Sequence, residues 1–505
     1  MRKTCLALCC IALPNLWCRA MPETPKPPAN VTLATAQDIV NNMYQAVGGA
    51  GRACPRVVET TAPNVVARYF AGEIQISPKL FEVCASFGPD AEDALAIVLG
   101  HEMDHFFKKS NVPGDADFHL YPSDPATKEE ADADVNGLFY AFLCGYDGAG
   151  EIFENFIAKV YDAFKLENDH AHPSLNTRRA AYAQIRGTAR WASDIFETAN
   201  CLALIGQYQP ALACYRRLRM LHDGVELAYN EALIKLFELL DDGNQRLDPF
   251  FYPIELADES LFSKVRNAGG AIPDLVRERL DALEHDFSAL SAQNPNFERA
   301  RLAALSVRVL LGQTKGIVPQ LEQARVSAAE RSYREKLLLL QAIAEAKNGD
   351  EATAKRLLNE LAQSRIPQHR HLARLNLACL EPGKALPWAP GKCLSPAPEV
   401  DDIGDTISMG TLDKGNFHDL YHDRRDGYQF YHSKRESSTL LALKGAYSGY
   451  VFQRLNNVPP LQDYTKQAYW TYGAGAYLYL PDCGMILRLS AKGQVVSCLK
   501  VIALR

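Results

Sequence analysis

The sequence predicts a multidomain, mainly α chain: an α+β domain over residues 35–188, an α-solenoid of helical repeats over 190–385, and a small β-rich domain over 401–505. Three observations predict it. Apolar residues recur at helical spacing through the first two regions, two stretches beginning at Gly206 and Gly349 share the same residue offsets, and beyond a proline-rich connection at 386–400 the composition turns to tyrosine, glycine and β-formers. A chain of 505 residues is long enough for about three domains.

At the start of the chain, Arg2 and Lys3 precede an apolar run from Cys5 to Trp17, and Cys18-Arg19-Ala20 offers small residues at the two positions a signal peptidase reads. Residues 1–20 are therefore expected to be a removable signal peptide, which makes the mature protein exported, periplasmic or secreted. The run is too short to span a bilayer as a mature helix, although an uncleaved anchor is an alternative. Lipidation at Cys18 is the weaker reading, because Trp17 is bulky where a small residue is wanted. Losing Arg2, Lys3 and Arg19 takes the formal charge from -6 to -9. Such a mildly acidic chain offers no electrostatic footprint for nucleic acid.

The first long helix is expected to start after Pro89, with Asp90 as its N-cap and Asp93 at the third helical position, and to carry Ala91, Leu95, Val98 and Leu99 on its apolar side. At its end stands His101-Glu102-Met103-Asp104-His105, an H-E-x-x-H motif. Residues four apart stack on one helix face, so both imidazoles can reach one metal ion with Glu102 beside them. A catalytic zinc takes three protein ligands and keeps a position for water, whose proton a neighbouring carboxylate can remove. The alternative is an amphipathic helix with two histidines on its solvated face.

A second helix answers the need for a third ligand. Lys128 to Tyr140 has an acidic start and an apolar continuation, with Glu130 one helical turn before Asp134. A carboxylate here can complete a two-His, one-Glu site, and a second can hydrogen-bond the outer nitrogen of a ligand histidine. Glu129 and Asp132 read as ordinary acids at a helix start, favoured by the dipole. Further on, His172-Pro173 leads through Ser174 to Arg178, a loop-to-helix junction in its own right.

In this order the three segments resemble the HtpX-like and CAAX prenyl endopeptidase-like zinc metallopeptidases, which pair H-E-x-x-H with E-x-x-A-D on a later helix and carry an H-P-x-x-x-x-R element. Gly145-Tyr146-Asp147 is similar to a turn in those relatives. The resemblance covers residues 35–188 and implies a zincin-like α+β fold of gluzincin type, with one Zn2+ per chain held by His101, His105 and Glu130. It further implies Glu102 as the catalytic base and Asp134 behind a ligand histidine. His172 would support the oxyanion or approach the metal as a gate, and Arg178 would position that loop or the substrate. Residues Gly72 to Ser77 would form an edge strand beside the active-site helix, able to pair with an extended peptide. Integral members have apolar spans of about 20 residues; none occurs in the mature chain, so the likeness is to soluble exported members.

Of 13 cysteines, nine lie beyond the leader, an odd number. Spacing suggests the local pairs Cys54–Cys84, Cys201–Cys214, Cys379–Cys393 and Cys483–Cys498, with Cys144 left over; burial as simple thiols is the alternative for each.

In the middle region, Gly206-Gln207-Tyr208 with Ala211, Tyr215 and Leu218 matches Gly349-Asp350 with Ala354, Leu358 and Leu361, where the small residue is expected to let two helices approach. Leu227 to Leu240 and Arg299 to Leu311 read as further helices, and Asp248 to Ile254 as an aromatic and proline-rich interruption. This pattern resembles divergent tetratricopeptide repeats, an irregular helical bundle being the alternative. Stacked hairpins present a concave surface for peptide or protein partners, here an envelope protein or the substrate itself. His369 and His371 read as part of a solvated stretch. In the last region strands are expected at Gly427 to Tyr431, Tyr447 to Phe452, Tyr469 to Leu480, Met485 to Leu489 and Val495 to Ile502. His418, His422 and His432 with Asp419, Asp423 and Asp426 admit a second metal site, a polar loop being the simpler reading.

The function expected from the sequence is an exported zinc endopeptidase that hydrolyses unfolded or misassembled envelope proteins. The alternative is a chaperone-like scaffold with gated or minimal proteolysis.

Overall fold

The computed structural model describes residues 31–47, 53–62, 65–108, 116–117, 127–148, 152–166, 175–204, 206–221, 224–241, 249–255, 261–262, 272–295, 297–328 and 331–381, together with strands at 417–422, 428–433, 438–443, 448–458, 470–472, 475–480, 485–489 and 495–503. The leader at 1–20, His172, the connection at 386–400, Cys393 and Cys483 lie outside them. The described chain is mainly helical, with strands confined to a small sheet near its start, one short pair and a sheet at its end.

The first region runs α1 (Leu33–Val47), β1 (Arg56–Glu59), β2 (Ala67–Phe70), β3 (Glu73–Ile76), α2 (Pro78–Ala85), α3 (Ala91–Lys108), β4 (Ala116–Asp117), α4 (Thr127–Leu143) and α5 (Ile152–Phe164). Asp90 closes a short 3-10 turn, Gly88–Asp90, that runs directly into α3. Asp93 sits in the first turn of α3 and accepts the N–H of Asp147 at 3.0 Å, tying that end to the turn after α4. Ala91 and the unbroken run from Ala94 to Leu99 are buried in one core with α1, α4, α5 and the sheet. Each fully buried leucine or valine there contributes about 1.5–3 kcal/mol, so the motif begins where the helix is most firmly held.

The sheet order is β1-β3-β2-β4, which corrects the expectation for residues 72–77: β3 is interior, flanked by β1 in parallel and β2 in antiparallel pairing. A tight turn causes this. Ala71 and Gly72 both have positive φ, 51° and 85°, the backbone of a two-residue hairpin, which folds β2 back beside β3. The strand facing the motif helix is therefore β2, and its other side pairs with β4.

The helical region continues as α6 (Leu175–Leu204), α7 (Tyr208–Leu221), α8 (Val225–Asp241), the short pair β5 (Ile254–Glu255) and β6 (Leu261–Phe262), α9 (Asp274–Gln293), α10 (Glu298–Leu310), α11 (Ile317–Ser327), α12 (Arg331–Lys347), α13 (Glu351–Leu361) and α14 (Pro367–Cys379). Antiparallel neighbours follow from short connections. Gly206 and Gly349 have φ of 76° and 89°, and each ends the preceding helix with the same bonds: Gln207 N–H to the carbonyl of Leu202 and Asp350 N–H to that of Glu345. A Cβ on Gly349 would meet nothing within 4 Å. Its part in the matching offsets is thus to stop a helix, not to admit a close neighbour. Asp350 then caps α13 by accepting the N–H of Thr353 at 3.0 Å.

The expected interruption near residue 250 is non-helical and stands between α8 and α9, with Phe250, Phe251, Tyr252 and Ile254 all in the core. One further expectation changes. His369 is not solvated: it is buried, and its Nδ1 lies 2.8 Å from Glu335 Oε2, joining α14 to α12, whereas His371 is exposed. Residues two apart on a helix fall on different sides of it, which separates buried His369 from exposed His371.

The last sheet contains β7 (Phe417–His422), β8 (Tyr428–Ser433), β9 (Ser438–Leu443), β10 (Ser448–Val458), β11 (Trp470–Tyr472), β12 (Gly475–Leu480), β13 (Met485–Leu489) and β14 (Val495–Ala503). Its order is β11-β12-β13-β14-β10-β9-β8-β7, antiparallel throughout. The stretch from Tyr469 divides into the β11–β12 hairpin, and β7 and β9 are additional strands. His418, His422 and His432 stand in paired strands, with His418 opposite His432, which corrects the polar-loop reading; Asp423 and Asp426 lie outside the described residues. The row Phe452, Leu499, Ile486 is buried in the same core as α6 to α14. Tyr450 bonds Gln207 at 2.9 Å, and Glu197 of α6 accepts from Arg488 at 2.5 Å and Ser497 at 3.3 Å. The sheet is thereby fixed to the helices.

Cys54 donates to Asn41 at 3.3 Å, and Cys84 and Cys214 are buried thiols, so the expected pairs Cys54–Cys84 and Cys201–Cys214 are not bridged. Cys379 donates to the carbonyl of Pro249. No described helix is long and apolar enough to cross a membrane.

Candidate metal centre

Two glycines bring the elements of the site together. Helices α3 and α4 cross at Gly100 and Gly137, where a Cβ on Gly100 would lie 2.3 Å from the Gly137 carbonyl oxygen and one on Gly137 would lie 2.4 Å from the His101 nitrogen. The two backbones touch. Asp134 stands one turn before Gly137 on the same face of α4, and His101 directly follows Gly100, so the crossing sets these two residues side by side.

At this contact His101 Nδ1 lies 2.7 Å from Asp134 Oδ1. With the proton on Nδ1, the lone pair of His101 is on Nε2. That atom stands 3.0 Å from His105 Nε2, and the two rings meet edge to face with centroids 4.7 Å apart. Two nitrogens bound to one tetrahedral zinc at their usual lengths stand about 3.3 Å apart. The pair therefore fits a chelated cation with little movement. Both histidines are buried, as is Glu102 between them in sequence.

Glu102 is held from the sheet. The N–H of Tyr69 in β2 donates to its Oε2 at 2.6 Å, a charge-assisted bond that fixes the carboxylate against the strand. Tyr69 in turn packs its ring on Phe106 of α3, centroids 5.7 Å apart. Below the motif, Asp104 accepts from Tyr140 at 2.9 Å and Asn136 at 3.1 Å, both on α4. Burial, then the charge of Asp104, pushes the Tyr140 phenol well above its ordinary range, so it remains a donor. This second pair of bonds on the inner side of the helix fixes the rotation of α3 about its axis and thus the aim of both imidazoles.

Of the other expected site residues, Glu130 lies in α4, four positions before Asp134 and seven before Gly137, a spacing that returns to one helix face. Arg178 lies in the first turn of α6. The side chains of both are outside the described residues, as is all of His172. Among the described residues no group of three or more His, Cys, Asp or Glu side chains is gathered for a metal. Asp132 is exposed, in keeping with a helix-start acid.

Tyr69, Asp104, Asn136, Tyr140 and the two glycines are parts of the site that sequence reasoning missed. A signal was present for the glycines: one immediately precedes the motif and the other follows Asp134 by three, the place for a small residue where two helices cross. Nothing marked Tyr69, whose contribution is a backbone N–H. No protein-family model matches the chain, and no curated protein matches it either.

Proposed function

We propose that this chain is a zinc-dependent endopeptidase of the exported type, hydrolysing peptide bonds in unfolded or misassembled envelope proteins. On this reading residues 35–188 are a zincin-like domain of the HtpX-like and CAAX prenyl endopeptidase-like kind, residues 190–385 are tetratricopeptide-like repeats that bind substrate or partner, and residues 1–20 are a signal peptide. The observation that carries it is the convergence of His101 and His105 Nε2 at 3.0 Å, with His101 turned by Asp134 and Glu102 held on the same helix by the Tyr69 N–H.

His101 and His105 would hold the ion through Nε2, and Glu130 is assigned as the third ligand by resemblance and by its turn of α4. A bound zinc would supply a Lewis acid for the scissile carbonyl and an acidified water. Glu102 would serve as the proton acceptor for an attacking water and as the donor to the leaving amine. The Tyr69 N–H holds one carboxylate oxygen of Glu102 through both transfers, so the base keeps its position. Asp134 stabilises the tautomer that His101 needs as a ligand. His172 and Arg178 are assigned to the oxyanion side by resemblance alone.

The test is Glu102→Gln, which should keep zinc in stoichiometric amount but lose cleavage of an unfolded protein by at least about a hundredfold. Undiminished cleavage refutes the assignment. A second reading, a scaffold with minimal proteolysis, draws on the larger of the two cores, which spans the helices from α6 to α14 and the last sheet, away from the motif. It predicts that Glu102→Gln leaves suppression of client aggregation at the wild-type level.

A further inference from the structure

Three of the chain's 12 histidines stand in β7 and β8, two strands of six residues each. Strand β7 ends the order of the last sheet, so the two form its margin. In their register His418 is directly opposite His432. Residues so placed in an antiparallel ladder occupy one face of the sheet, with Cβ atoms about 4.5–5.5 Å apart. Two imidazoles carried at that separation can share one ion at the usual nitrogen–metal length of about 2.0–2.1 Å.

The neighbouring strands identify the face. His432 is opposite Thr439 of β9, Thr439 is opposite Phe452 of β10, and the row continues through Leu499 to Ile486. Phe452, Leu499 and Ile486 are buried in the core shared with α6 to α14. The two histidines therefore prolong, at the margin of the sheet, the row that faces the helices. Like residues that become like charges on protonation make a poor cross-strand pair, unless a shared cation binds both in their neutral form.

A bulge separates this pair from the third histidine. The register shifts between Asp419 and Tyr421, which adds Leu420 to β7. Without the extra residue His422, four positions after His418, would share its face. With it, His422 falls opposite Gln429, on the other face, together with Asp419 and Tyr431. Bulges at sheet edges commonly re-aim a residue in this way. The register thus selects two of three histidines that spacing along the chain would have grouped together.

We propose that His418 and His432 form a second metal site, a two-histidine clip for a divalent transition ion of the zinc type that fastens the edge strand β7 to β8. Imidazole selects that class of ion, whereas calcium and magnesium take oxygen ligands. Two histidines fill half of a tetrahedral set, and water completes it. The site shares no residue with the centre on α3 and α4, and the inference does not depend on proteolysis.

The experiment uses the full chain, stripped of metal with a chelator and then titrated with Zn2+, the bound metal being counted by equilibrium dialysis. The variant carrying His418→Ala and His432→Ala should hold one equivalent fewer than the parent, and His422→Ala should match the parent. Either of the first two substitutions alone should weaken that equivalent by more than the 10–100-fold that losing a partner behind a ligand costs. A second measurement needs no substitution: hydrogen exchange of the parent with and without Zn2+ should show β7 and β8 gaining amide protection. An equal count in the paired alanine variant, loss of the same equivalent in His422→Ala, or no zinc-dependent protection in β7 and β8 overturns the inference. Because the count is a difference between parent and variant, it reads the same whether or not the first centre binds zinc, so failure here is distinguishable from failure of the peptidase reading.

Discussion

Replacing Gly137 with alanine sets a methyl carbon 2.4 Å from the His101 backbone nitrogen and 2.5 Å from the Gly100 carbonyl carbon, against an ordinary contact of at least 3.4 Å. Neither obstacle is a side chain that can rotate away, so α3 and α4 must part by about 1 Å. Moved by that amount, the 2.7 Å contact of His101 with Asp134 passes beyond hydrogen-bond range. Alanine gains about 1 kcal/mol of helix propensity over glycine. Overpacking costs about 1–3 kcal/mol, and the loss of a bond to a charged group about 1.5–3 kcal/mol. The net effect is a destabilisation of about 1.5–5 kcal/mol, read as a lower urea midpoint with unchanged slope. Zinc affinity, measured by competition with a chromophoric chelator, should fall about 10–100-fold because the partner behind a ligand is displaced. Gly187 supplies the contrast: it lies in α6 with nothing within 4 Å of its would-be Cβ, so Gly187→Ala should stabilise by up to about 1 kcal/mol. A Gly137→Ala protein with wild-type midpoint and zinc affinity would refute the helix-crossing account of the site.

Asp134→Ala removes the same bond to His101, so it should cost about 1.5–3 kcal/mol in denaturant unfolding and lower zinc affinity about 10–100-fold, as seen by chelator competition. Arg488→Ala removes the cation from buried Glu197 and should cost about 2 kcal/mol in denaturant unfolding, with the last sheet losing amide protection from hydrogen exchange before α3 does. Glu226, buried beside Arg299 at 3.1 Å, has its carboxyl pushed up from 4.5 to about 7 by burial, which outweighs the guanidinium. A folded-state value above the unfolded one means its contribution is complete below pH 4.5 and is lost as the pH rises through about 7. Glu226→Gln should therefore flatten the fall in stability across that window, followed as Tm against pH; an unaltered profile counts against the buried acid as its cause.

How much was legible in the sequence depended on whether the governing interaction was local. The helices containing the motif, Glu130 and Asp134 follow from spacing, whereas the matching offsets at Gly206 and Gly349 pointed to close helix approach and the structure has a helix stop at each. The strand order was not legible, because β2 folds back on β3 through a turn at Ala71 and Gly72, and this exchanged the interior and the motif-facing strands. The pairs Cys54–Cys84 and Cys201–Cys214 failed for a related reason: sequence separation limits which thiols can meet but does not bring their Cβ atoms into bonding geometry.

By itself the sequence determined the chemistry available to this protein: two imidazoles four residues apart with a carboxylate between them, and an acidic pair one turn apart on a later helix. These are properties of the helical period, fixed within a few residues. Only the tertiary structure decided that Gly100 and Gly137 touch, that Asp134 consequently reaches His101, that Tyr69 offers its N–H to Glu102, and that Phe250 to Ile254 lie buried, with Phe251 bonded to Asn376 of α14. Each is a contact between segments distant in the chain, and such contacts are set by how whole elements pack, which no short stretch of sequence specifies.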